Sequence, residues 1–123
     1  MRAESAPLPR DFLRPCLLLL LREQSAHGYE LLQRLQPLGF VRDDPGGLYR
    51  ALRGLERDGL VRSAWQSSRL GPARRIYELT RSGTEELHRR AKGFAQMQQT
   101  LELFLSRYGE FVSLAPDAQP ARR

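Results

Sequence analysis

The side chains best equipped for recognition chemistry in this sequence are seven arginines in two neighbouring stretches. Arg50, Arg53 and Arg57 fall at i, i+3 and i+7 in DPGGLYRALRGLERD (44–58), and Arg62, Arg69, Arg74 and Arg75 follow in LVRSAWQSSRLGPARRIYELT (60–80). A guanidinium presents a rigid fork of N–H donors that matches phosphate oxygens and guanine edges, and it stays charged at physiological pH. No acid lies between Arg62 and Arg75. That segment therefore attracts a polyanion, and nucleic-acid phosphate is the obvious one. The first stretch alone would read equally well as a solvated amphipathic face; beside the basic second stretch it favours recognition.

Catalytic chemistry has no such footing. It needs a nucleophile with its base, paired carboxylates or clustered metal ligands. The chain offers two histidines, one cysteine, and acids that mostly sit at helix spacing from arginines. His27 reads as a helix-start residue, His88 as part of an exposed helix face, and Cys16 as a small buried hydrophobe. The expectation is a protein that is not an enzyme and uses neither metal nor cofactor.

The elements that must position the arginines follow from periodicity. Leu48, Leu52 and Leu55 form one stripe of a 3.6-period helix, opposite the arginines. Asp44 suits its N-cap, Pro45 its first position, and Asp58-Gly59 its end. Leu60 to Gln66 and Arg74 to Leu79 are rich in Val, Ile, Trp and Tyr around Gly71-Pro72, which predicts a strand–turn–strand hairpin. Upstream, Asp11 to Glu23 is an apolar core helix, Gln24-Ser25-Ala26 breaks it, and Ser25 or His27 caps a second helix from His27 to Leu35. Tyr29, Leu32 and Leu35 are placed on its inner face, Gln36-Pro37-Leu38-Gly39 ends it, and Phe40-Val41 forms a short strand or a core plug. Downstream, Thr80 or Ser82 caps a helix of about 30 residues, with Glu85-Glu86 suiting its dipole. Its apolar stripe, Leu87, Ala91, Phe94, Met97, Leu101, Phe104, Tyr108 and Phe111, exceeds what so small a domain needs and predicts packing against a second copy. Gly93 and Gly109 mark places where it would bend or end.

The fold class is thus mainly α with a small β-hairpin: a winged helix-turn-helix plus a long C-terminal dimerisation helix. Its divisions are a flexible N-terminal arm (1–10), the winged domain (11–80), the dimerisation helix (81–112) and a disordered tail (113–123). The length of 123 residues suits one domain, and a net charge of +6 with a pI near 10.4 suits an anionic partner. Residues 42–81 carry +4 of that charge, so the excess is directed at the helix and hairpin. Nineteen of the twenty basic residues are arginine, a bias that arginine-rich codon usage mostly explains. A lone cysteine fits a reducing cytoplasm. The apolar run Pro15 to Leu21 is too short to span a bilayer, so no membrane role is expected. Trp65 is read as packing where the hairpin meets the long helix.

These segments resemble the PadR-type transcriptional regulators. The matching pieces are HGYELLQRL (27–35), GGLYRALRGLERDGLV (46–61), Trp65, GPARRIYELTRSG (71–83) and the helix that begins EEL, in an unbroken order from about Phe12 to Leu105. The short length looks like the compact subgroup with one C-terminal helix. The resemblance implies a homodimeric winged-helix repressor, an inverted-repeat operator in double-stranded DNA, and release by a small-molecule or other signal. It places Tyr49, Arg50 and Arg53 in the groove, Arg74 and Arg75 (with Arg69 nearby) on the wing, and Tyr29 near the phosphate backbone. The dimer interface would be Leu87, Ala91, Phe94, Met97, Leu101, Phe104 and Tyr108; an effector would meet Trp65, Phe94 and Met97. One departure is the entry Asp43-Asp44-Pro45-Gly46-Gly47, where many relatives have small polar residues. Two acids beside phosphates repel unless Asp44 serves as a cap and Asp43 turns away. That entry supports an alternative, a winged-helix protein-interaction module without specific DNA binding.

Overall fold

A computed structural model describes residues 8–40 and 44–114. The arm up to residue 7, residues 41–43 and the tail from residue 115 lie outside the described residues, as do the expectations placed on them. The elements run α1 (Leu13–Glu23), β1 (Ala26–His27), α2 (Gly28–Arg34), a 3-10 turn (Gln36–Leu38), α3 (Pro45–Arg57), β2 (Val61–Gln66), β3 (Arg74–Leu79) and α4 (Arg81–Leu114). The chain divides into two compact units, one ending at Arg89 and the other beginning at Arg90.

In the first unit, α1 starts two residues later than Asp11, because Asp11 has φ +59, a left-handed backbone that cannot continue into an α-helix. Leu17, Leu18 and Leu21 of α1 meet Leu31 of α2, its C-cap Leu35, and Leu48, Leu52 and Leu55 of α3 in one buried cluster closed by Val61 and Tyr77. Each such side chain contributes about 1.5–3 kcal/mol of burial. Cys16 is buried in this cluster, and burial pushes its thiol up to about 11. Arg34 Nη2 donates to the Leu20 carbonyl at 2.9 Å and pairs with Glu23 at 3.2 Å. The Leu20 carbonyl also accepts the Gln24 N–H at 3.1 Å, and the second bond from Arg34 ties α2 to the end of α1. Gly39, at φ +104, ends the 3-10 turn, and Phe40 plugs the edge of the core by stacking on Phe12 at 6.1 Å.

The hairpin is part of a three-stranded antiparallel sheet in the order β1-β3-β2. Ala26 pairs with Tyr77 and His27 with Ile76, so the segment read as a break carries a strand. Two residues are too few to display a period-2 pattern, and only the partner strand makes them β. His27 then caps α2, with its backbone N–H donating to the Glu30 carboxylate at 2.9 Å. The buried stripe of α2 is Gly28 and Leu31, continued by its C-cap Leu35, which turns Tyr29 outward; Tyr29 is 67% exposed, not on the inner face. Thr80 is the cap of α4: its hydroxyl accepts from Gly83 N–H at 3.0 Å and donates to the Gly59 carbonyl at 2.7 Å. A Cβ on Gly83 would run into the Leu60 carbonyl, so α4 can start against β2 only with glycine there. Leu87, expected in a dimer interface, packs against the winged-domain core.

In the second unit α4 continues without interruption through Gly93 and Gly109 to Leu114. Met97, Leu101, Phe104, Tyr108 and Phe111 are all exposed in the single chain, and Arg90 lies over the Phe94 ring at 5.7 Å.

Candidate nucleic-acid interface

Helix α3 buries Leu48, Leu52 and Leu55 and turns Gly46, Arg50, Arg53 and Arg57 to solvent on the opposite face. Its entry is built from the two residues that look out of place in the sequence. Asp44 Oδ1 accepts from Gly47 N–H at 3.0 Å, so the carboxylate is turned into its own helix end. A Cβ at Gly47 would collide with that carboxylate. Cap and glycine are therefore one device. The Tyr49 ring packs over Gly28, where any side chain would strike its hydroxyl, which joins α3 to the start of α2. Arg57 lies 4.0 Å from Asp58, which is itself bonded to Arg14 at 2.7 Å; that bond holds the Asp58 carboxyl below its ordinary range. Arg50 and Arg53 have no acidic partner among the described residues.

The hairpin arginines, alike in sequence, differ in three dimensions. Arg62 pairs across the strands with Glu78 at 3.0 Å. Arg75 Nε donates to Ser63 Oγ at 2.9 Å, Ser63 donates to Glu56 at 2.8 Å, and Arg75 Nη2 lies 3.9 Å from the same carboxylate. The Arg75 guanidinium also covers Trp65 at 5.3 Å, a favourable cation–π placement. Arg69 and Arg74 have no acidic partner among the described residues and are exposed. The acids absent from the hairpin segment thus come from either side of it, Glu56 on α3 and Glu78 on β3. Two of the four arginines brace the hairpin against α3 and within itself, and two are left for a ligand.

Trp65 departs from expectation. It is 67% exposed rather than packed. Its register partner is Arg75, and β2 is an edge strand whose outer half runs beyond the core. Trp65 lines a groove of about 410 Å³ with Gly28, Tyr29, Tyr49, Arg74 and Tyr77. Tyr29, Trp65 and Arg74 thus come together on one face; Phe94 and Met97, read with Trp65 as an effector site, belong to the second unit. Sequence reasoning misses the Glu56–Ser63–Arg75 chain and the Tyr49–Gly28 packing. No periodicity signals them, since each joins residues whose proximity only the fold creates.

Comparison with known proteins gives a consistent picture. Residues 17–89 match the family model of the transcriptional regulator PadR-like family. Among solved structures, a conserved protein of unknown function that is a potential transcriptional factor is 30% identical over 83% of this chain and 91% of its own, with a TM-score of 0.73. A PadR-like transcriptional regulator from Bacillus cereus is 28% identical over 76% of this chain and 90% of its own, at 0.68. Bacillus subtilis PadR, solved in complex with operator DNA, is 27% identical over 68% of this chain and 48% of its own, at 0.60. No curated protein matches. No helix among the described residues is long and apolar enough to cross a membrane.

Proposed function

The chain belongs to the PadR-like family of transcriptional regulators, and on that premise we propose that it is a cytoplasmic, homodimeric repressor of an inverted-repeat operator. Helix α3 enters the major groove with Arg50 and Arg53, while Arg69 and Arg74 of the wing hold phosphate. Tyr29 and Tyr49 flank the groove edge, and Arg75 sets the angle of the wing as well as adding charge. The observation that carries the reading is the pair Arg50 and Arg53 on α3 beside Arg69 and Arg74 on the wing, all four without an acidic partner among the described residues. The operator complex of Bacillus subtilis PadR supports it. The exposed stripe Met97, Leu101, Phe104 and Tyr108, continuing from Phe94, supports pairing of two α4 helices. A two-fold dimer presents its two α3 helices to half-sites about one helical turn apart. A small molecule or other signal that alters their separation relieves repression.

The protein-interaction alternative draws its support from the entry to α3, and Asp44 is engaged as a cap there. The test is selection from a genomic duplex library at two salt concentrations. An inverted repeat should be enriched, and Arg69→Ala with Arg74→Ala should lower the salt slope by about 0.9 for each phosphate no longer neutralised. Duplex binding that is absent, or equal for all sequences, would refute sequence-specific repression.

A further inference from the structure

The first turn of α3 has almost nothing to read with. Pro45, Gly46 and Gly47 carry no side-chain donor or acceptor, and the Asp44 carboxylate is spent on Gly47 N–H. Tyr49 is held over Gly28. In a helix-turn-helix the N-terminal end of the second helix meets the base edges, so the first side chain in reach with free donors is Arg50. Its position on the exposed face is one helical turn after Gly46. Arg50 Nη1 lies 3.3 Å from the point where a Cβ on Gly46 would stand. The guanidinium therefore folds back along the bare turn, towards the helix N-terminus, and fills the space that a residue-46 side chain would take. Arg53 stands a turn further from that end and Arg57 lies beside Asp58.

We propose that direct base recognition by this protein is concentrated in Arg50, which reads one guanine per half-site through O6 and N7, and that Arg53 serves the phosphate backbone. This inference rests on the DNA-binding reading above. The chemistry is selective because an arginine fork fits the two major-groove acceptors of guanine, whereas adenine presents an acceptor and a donor. Gly46 contributes by its lack of a side chain, which leaves Arg50 both the room and the closest approach. The remaining operator preference then comes from duplex shape.

The test uses the full chain and the duplex enriched from a random library. Each guanine is replaced in turn by 7-deazaguanine, which lacks N7 and keeps its pairing. One guanine per half-site should lose about tenfold in affinity for the unaltered protein. Arg50→Ala should be insensitive to that replacement and should tolerate any base pair there, while Arg53→Ala should weaken all duplexes alike. An enriched site at which no N7 removal matters, or an Arg50→Ala protein that still selects the same motif, overturns the assignment while leaving DNA binding intact. Failure of the unaltered protein to bind any duplex overturns the DNA-binding reading and this inference with it.

Discussion

The coupling between Asp44 and Gly47 makes one substitution change its effect with its background. Glycine within a helix costs about 0.5–1 kcal/mol relative to alanine, so Gly47→Ala would normally stabilise. Here the new methyl group collides with the Asp44 carboxylate and drives it off the Gly47 N–H. Losing that cap costs about 1 kcal/mol, so the single Gly47→Ala change should come out close to neutral. Asp44→Ala alone should cost about 1 kcal/mol, or about 4–8 °C in Tm for a domain of this size. Once Asp44 is alanine the collision is gone, and Gly47→Ala should recover about 0.5–1 kcal/mol. The coupling energy is then about 1 kcal/mol, beyond the roughly 0.3–0.5 kcal/mol scatter seen for independent sites. Urea denaturation of the four proteins measures it, at one fixed concentration because self-association shifts apparent stability. Additivity of the two substitutions, with unchanged m-values, would show that the cap and the glycine are not one device.

Two further outcomes follow from the charge network. Glu56→Gln removes the carboxylate beside Arg75 and should raise duplex affinity a few fold at low salt with a steeper salt dependence; unchanged binding isotherms would place Arg75 away from DNA. Glu30 accepts the His27 backbone N–H, which holds its carboxyl below the usual glutamate range. A depressed folded value means the stabilisation is complete above the unfolded value and disappears as pH falls through the folded one. Glu30→Gln should therefore flatten the acid limb of a Tm–pH curve from about pH 5 downward, and superimposable curves would refute the link.

Much of this fold is legible in the sequence because its signals are local. Asp44, Pro45 and Gly59 act within a few residues of the helix they delimit, and Leu48, Leu52 and Leu55 declare their face by spacing alone. The strands β2 and β3 are legible for the same reason. What stays hidden depends on distant partners. β1 exists because β3 lies beside it. Trp65 carries every sequence mark of a core residue, yet its strand extends past the core. Tyr29 sits one position from the true buried stripe of α2, an error that spacing with Leu32 and Leu35 invites when Gly28 and Leu31 supply the burial instead. At the candidate interface, sequence identifies the arginines but cannot sort them. Arg74 and Arg75 are adjacent in the chain, and only the fold brings Glu56 to one and not the other.

The exposed indole has a practical consequence for observing this protein. Trp65 is the only tryptophan, with a guanidinium over its ring and, of the buried cluster, Tyr77 sharing its groove. Its emission therefore reports on the groove beside the wing and is nearly blind to the core. Unfolding, which moves an already wetted indole into water, should shift that emission little, whereas anything that covers the groove should shift it at once. The molecule thus carries its own optical label on the surface where occupancy matters most.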